Sequence, residues 1–211
     1  GDYVNAINHV GAVTDADYVM AQSAYLFMGQ LFLKDDNLNA AALAFEKAYK
    51  MPYDESTRET AFYNYALAQS RGGRTPFSSS VKLFQDFLNK FPNSRYASNV
   101  EDYIINSYMT SKDYDNALLC IEALKSPSAK MMKAKQNVLY RLGMRELQAG
   151  KTTSAADFLT CADELAQYDS KVAQEVKLWL AETRYRQKNY KQAQSLYNQY
   201  VINAAATDAN Y

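Results

Sequence analysis

Apolar residues along this chain recur three and four positions apart, the spacing of one face of an α-helix. The stretch AYLFMGQLFL (24–33) shows this, as does VLYRLGMREL (138–147). Each stripe gives way to a short polar turn, KDDN, RGGRT, SKD, AGKT or QKN, and a second stripe then begins. No stretch alternates apolar and polar residues long enough for a strand. The pattern predicts an all-α chain of paired helices. At FPNS (91–94) one helix stops and the next starts within four residues. Pro92 cannot continue a helix and pushes Phe91 out of the α region. Asn93 or Ser94 then caps the next helix, and Phe91 is expected to pack beneath the turn.

The second stripes share one feature, a small residue followed four positions later by a large one. The pairs are Ala6–Val10, Ala41–Phe45, Ser80–Phe84, Ala117–Ile121, Ala155–Leu159 and Ala193–Tyr197, and their small members lie 35 to 39 residues apart. A small residue lets two helices approach closely, and the large one fills the space beside it. A single hairpin of this kind cannot bury both faces, so neighbours must stack.

These units resemble tetratricopeptide repeats. In the first, Tyr25, Met28, Gly29, Phe32, Ala41, Phe45 and Ala48 occupy the family's characteristic positions, with Pro52 beside its usual proline. The second keeps Leu67, Ala68, Ser80, Phe84 and Pro92, with Arg71 in place of an aromatic. The third keeps Tyr108, Tyr114, Ala117 and Ile121, with Ile105 in the glycine slot. The fourth keeps Leu142, Gly143, Ala155, Leu159 and Ala162, and the fifth Leu180, Ala181, Tyr190, Ala193 and Tyr197. The resemblance implies an α-α superhelix, a right-handed solenoid of helical hairpins. One array covers 1–211: a half repeat at 1–14, with Tyr3 and Ala6 in place, then repeats at about 16–52, 57–92, 94–127, 131–168 and 171–203. The opening inside a repeat leads us to expect a piece of a longer protein. The wording around FPNS also resembles the envelope branch of the superfamily. That branch includes the lipoprotein subunit of the outer-membrane β-barrel assembly machine and the periplasmic coordinator of the Tol-Pal system. It implies a periplasmic or outer-membrane-associated setting rather than a cytoplasmic one.

Composition narrows the chemistry. Lys and Arg total 23, as do Asp and Glu, so the formal net charge is zero. That argues against a broad electrostatic footprint for nucleic acid. The one basic cluster, Lys130, Lys133 and Lys135 with Arg141 and Arg145, is expected to form a solvated helix face. No apolar run approaches the length of a membrane span. The two cysteines, Cys120 and Cys161, lie in apolar helical stretches and are expected to be small buried hydrophobes. The single histidine, His9, has no partners for a catalytic triad or a zinc site. The glycine-rich SRGGRTPFSSS (70–80) could cradle an anion between Arg71 and Arg74. It reads better as a turn in which Gly72 and Gly73 end one helix, Thr75 caps the next and Pro76 takes its first position. Paired carboxylates such as Asp35–Asp36 repeat no site. No cofactor, metal site or catalytic residue is expected.

Eighteen tyrosines are the most unusual compositional feature. Tyr25, Tyr108, Tyr114, Tyr190 and Tyr197 fall in repeat-core slots, and Trp179 reads as a packing residue between repeats. The resemblance implies a non-catalytic scaffold that takes a protein or peptide partner on the concave face of its first helices. Projected onto that face are Gln30, Leu33, Tyr65, Gln69, Asp102, Asn106, Tyr140, Met144, Leu178, Glu182 and Tyr185. Tyrosine and methionine supply adaptable contact area, and amides pair with an extended backbone. Two other classes remain open, a glycan or small-ligand module and the helical accessory domain of an envelope enzyme. The identity of the partner and the oligomeric state are not legible in the sequence.

Overall fold

The structure, a computed structural model, describes residues 19–72 and 77–208, the side chains at 77–79 and 203–208 excepted. The described residues form ten helices and no strand. In order they are α1 (Val19–Lys34), α2 (Leu38–Lys50), α3 (Glu55–Arg71), α4 (Phe77–Lys90), α5 (Ala97–Ser111), α6 (Tyr114–Glu122), α7 (Ala129–Gln148), α8 (Thr152–Asp163), α9 (Ser170–Arg186) and α10 (Tyr190–Asp208). The chain is all-α and built of tetratricopeptide-like hairpins. It divides into two compact units, Gly1–Val100 and Glu101–Tyr211. The half repeat at 1–14, with Tyr3, Ala6, Val10 and His9, lies outside the described residues. So do Gly73, Arg74, Thr75 and Pro76 of the proposed anion cradle.

The polar turns work by a shared device. Asp36, Gly150 and Lys188 have φ values of 56°, 75° and 62°. After each, the next amide bonds back five residues, Asn37 to Phe32 O, Lys151 to Glu146 O and Asn189 to Arg184 O. This left-handed cap satisfies carbonyls that the ending helix leaves free. Lys112, with φ 55°, occupies the same place in the SKD turn. The following residue then opens the second helix: Asn37 accepts from the Ala40 amide and Asp113 from the Asn116 amide.

The described small–large pairs bury as expected except at Tyr197, which is half-buried. Ala41, Phe45, Phe84, Ala117, Ile121, Ala155, Leu159 and Ala193 are all buried, as is Ser80. Gly29 and Gly143 are where the helices come closest. A Cβ at Gly29 would lie 2.5 Å from the Phe45 ring, and one at Gly143 would lie 2.7 Å from Leu159 Cγ. Both lie inside van der Waals contact, so these slots admit no side chain without a shift.

The same inner clusters occur in both units. In the first, Tyr25, Ala48 and Ala61 pack together; in the second, Leu139, Ala162 and Val176 do. Hairpins are joined by buried amides. Gln22 Nε2 lies 3.2, 2.9 and 3.1 Å from the carbonyls of Ala48, Met51 and Asp54, and its Oε1 accepts from the Asp54 amide at 2.7 Å. Gln136 repeats part of this, with Nε2 donating to Asp169 O at 3.1 Å, while its buried Oε1 has no partner. Asp54 and Asp169 are themselves the N-caps of α3 and α9. Glu59 takes the equivalent place in the second hairpin and accepts from the Ser94 hydroxyl.

These equivalences correct the register of the second repeat. α3 and α9 both have 17 residues, with caps Asp54 and Gly72 against Asp169 and Gln187. Ala61 therefore stands where Val176 does, and the small slot on α3 is Ala66, fully buried, rather than Ala68. The turn after α3 is two residues longer than that after α9, so counting back from Ser80 stops two residues short of the slot.

At FPNS, α4 stops at Lys90, and the Phe91 amide still bonds to Phe87 O at 2.8 Å. The Phe91 ring packs 5.5 Å from that of Phe87. Of the two cap candidates, Ser94 makes the bond: its Oγ accepts from the Tyr96 amide at 3.0 Å. Gly72 ends α3 as expected, its amide bonding to Ala68 O.

Two expectations fail. Cys120 is buried but Cys161 is exposed, because it precedes the inward Ala162 by one position on α8. Tyr190 is 58% exposed instead of buried and meets the Tyr185 ring edge-on at 5.4 Å. The basic cluster is largely exposed, and most of its cations are also paired. Lys130 reaches Asp102 at 2.6 Å, Lys133 reaches Asp169 at 3.0 Å and Lys135 reaches Glu122 at 3.0 Å. Arg145 grips Asp115 with two bonds, at 2.6 and 3.0 Å.

Candidate functional site: the outward face of the first helices

Helical spacing gives each first helix two faces. On α7 the inward residues are Val138, Leu139, Leu142 and Gly143, and on α9 they are Val176, Leu180 and Ala181. Residues four apart on the other side stay half-buried or exposed.

In the first unit Gln30 is exposed, while Leu33 is half-buried and packs against the Ala41, Ala42, Phe45 and Ala68 cluster. Tyr65 rests on that same cluster, and Gln69 Nε2 lies 3.5 Å from the Tyr65 hydroxyl. In the register of α9, Tyr65 corresponds to Leu180 and Gln69 to Arg184. Both therefore face the preceding α2, away from the surface that carries Gln30. The residues of α3 that correspond to Leu178 and Glu182 are Tyr63 and Leu67, which sequence reasoning missed. Tyr63 is half-buried and stacks on Tyr96, with ring centroids 4.2 Å apart and planes 7° apart. The matching cap pair Asp54 and Asp169 is the signal in the sequence that would have found them.

In the second unit Asp102 and Asn106 are both exposed on α5. Asp102 is held by Lys130 at 2.6 Å. Tyr140 and Met144 are half-buried on α7. Tyr140 contributes to the packing of two clusters, one around Leu139 and one around Leu159, and Trp179 joins it in the second. Trp179 thus packs as expected. Burial raises the Tyr140 phenol above its ordinary pKa, with the Glu175 carboxylate adding to the effect. On α9, Leu178 and Glu182 are half-buried, and Tyr185 is exposed. Glu182 accepts from Arg186 Nε at 2.7 Å and from the Tyr197 hydroxyl at 2.9 Å. Those bonds, Arg186 first, hold its carboxyl below the ordinary range. Burial and then Glu182 raise the Tyr197 phenol.

This surface offers aromatic and thioether area edged by fixed carboxylates, a composition suited to polypeptide contact. Among the described residues no group of three or more His, Cys, Asp and Glu side chains is placed to hold a metal. No described helix is long and apolar enough to cross a membrane.

The tetratricopeptide repeat family matches residues 60–94 and 175–204. These are the hairpins built on α3 and α9, the two first helices with equal length and matching N-caps. The comparison with curated proteins found no match. Among solved structures, MamA from Desulfovibrio magneticus RS-1 is similar at 16% identity, over 89% of this chain and 97% of that one, with a TM-score of 0.38. PilF of Pseudomonas aeruginosa is similar at 18% identity, over 86% and 76%, with a TM-score of 0.37. BtubC from P. vanneervenii is similar at 12% identity, over 98% and 89%, with a TM-score of 0.40.

Proposed function

We propose that this chain, two of whose hairpins match the tetratricopeptide repeat, is a non-catalytic scaffold. It takes a protein or peptide partner on the outward face of its first helices. One observation carries this reading. On α5, α7 and α9 the same two positions, Asp102 and Asn106, Tyr140 and Met144, Leu178 and Glu182, are left half-buried or exposed while the alternate face is buried. Such a repeated, adaptable stripe suits an extended segment or a helix laid across several hairpins. The resemblance of the stretch around FPNS to the envelope branch of the superfamily suggests the cell envelope as its setting.

The test is co-purification from the source cell with the affinity-tagged chain. Gln30→Arg, Asn106→Arg and Met144→Arg alter exposed or half-buried side chains, so helix content by circular dichroism is expected to hold. The partner's yield should fall severalfold in each. A partner retained in full by all three variants contradicts the reading.

A further inference from the structure

The joint between a second helix and the next first helix occurs twice in matched form, once with a side-chain strap and, among the described residues, once without it. In the α8/α9 joint, Gln187 Nε2 donates to the Thr152 carbonyl at 2.9 Å, and Arg184 Nη1 donates to Gln187 Oε1 at 3.0 Å. These bonds tie the end of α9 to the start of α8. In the α2/α3 joint, Gly72 stands at the place of Gln187 and has no side chain to make that bond. There a cleft of about 310 Å³ opens between the helices. Ala42 and Ala68 keep it clear of bulk, Leu38, Leu43 and Tyr65 give it apolar surface, and Glu46 is the one charged residue among the described residues that line it. Leu43 is 63% exposed, although an aspartate, Asp157, occupies the corresponding position on α8.

We propose that this cleft receives an arginine side chain presented by an extended segment of a partner protein. The charge argues for a cation, because Glu46 is the one charged residue among the described residues of the lining. The shape argues for a long amphipathic stem, which the surfaces of Leu38 and Leu43 cover while the head reaches the carboxylate. A planar guanidinium meets a carboxylate with two parallel bonds and lies favourably over a tyrosine ring, here Tyr65. Lys50 now pairs with Glu46 at 2.7 Å, but its side chain is 68% exposed. Such a surface pair contributes little and is readily exchanged. The site is separate from the first-helix face, so each reading can fail without the other.

The probe is the peptide acetyl-Leu-Arg-Leu-amide, with the citrulline peptide as its neutral isostere, titrated into the full isotope-labelled chain. NMR should show shifts at the Leu38 and Leu43 methyls and the Gly72 amide. The citrulline peptide should bind about tenfold more weakly, the loss of one charge-assisted pair. Glu46→Gln should remove the difference between the two peptides. Gly72→Gln should weaken both, because φ at Gly72 is −67° and accepts a side chain that can restore the strap seen in α9. Equal binding of the two peptides, shifts unchanged in Glu46→Gln, or no shifts in the cleft each overturn the proposal.

Discussion

Lys188 sits at φ 62° and Lys112 at φ 55°, backbone angles that glycine adopts without a steric penalty. Replacing Lys188 by Gly should therefore raise stability, by up to about 1 kcal/mol, seen as a higher melting temperature. The reverse change is Gly150→Ala, at φ 75° with open space around the Cβ. It should cost about 1 kcal/mol through backbone strain alone. Gly29→Ala and Gly143→Ala fail for a different reason, contact with Phe45 and Leu159. Each should lose about 1–3 kcal/mol in urea unfolding, and trimming Leu159 should partly rescue Gly143→Ala. The turns were legible in the sequence as polar breaks. Their left-handed residues were not, because lysine and aspartate do not announce that conformation as glycine does.

At the scale of the helix, pairing and the close-approach slots were legible wherever the turn kept its length. Gly29, Gly143 and Ala181 followed from their spacing to Ala41, Ala155 and Ala193. The longer turn after α3 shifted the count, and with it the assignment of Tyr65 and Gln69 to the outward face. Matching N-caps and inner clusters restore the register and bring forward Tyr63 and Leu67. The joints themselves were not legible, because Gln22 and Gln136 look like surface amides on an amphipathic stripe. They differ in how well they are satisfied. Gln22→Leu leaves the Asp54 amide unpaired, so it should cost about 1–3 kcal/mol. Gln136→Leu also removes an oxygen that already lacks a partner, and should cost less. Urea unfolding of the two variants side by side checks the order; equal losses would contradict it. The exposure of Cys161 and Tyr190 has the same lesson: an apolar neighbourhood in sequence says little about one residue's side of the helix.

Across the whole molecule the formal charges cancel, and much of that balance is spent in specific pairs. Among the described residues four carboxylates are held below their ordinary range: Asp54 by the Thr57 hydroxyl and amide, Asp115 by Arg145, Asp169 by Lys133 and Glu182 by Arg186. A depressed carboxylate stabilises the fold above its unfolded pKa, and that contribution is lost as pH falls through the folded value. The melting temperature should thus stay level down to about pH 5 and drop below about pH 4. Asp54→Asn and Asp169→Asn should flatten that drop; a decline that begins near neutrality would contradict the assignment. The zero net charge was legible from composition, but the pairing was not, because Lys130, Lys133, Lys135 and Arg145 of α7 each reach a carboxylate that lies outside their own helix. The central claim concerns the outward face of the first helices. Its most direct test is site-specific photo-crosslinking in the source cell, with the photoreactive residue at Asn106, Met144 or Tyr185 and at the control positions Leu119 and Lys188. The account predicts one partner captured from all three first-helix positions and from neither control. The same partner captured equally from the controls, or none from the first-helix positions, would contradict it.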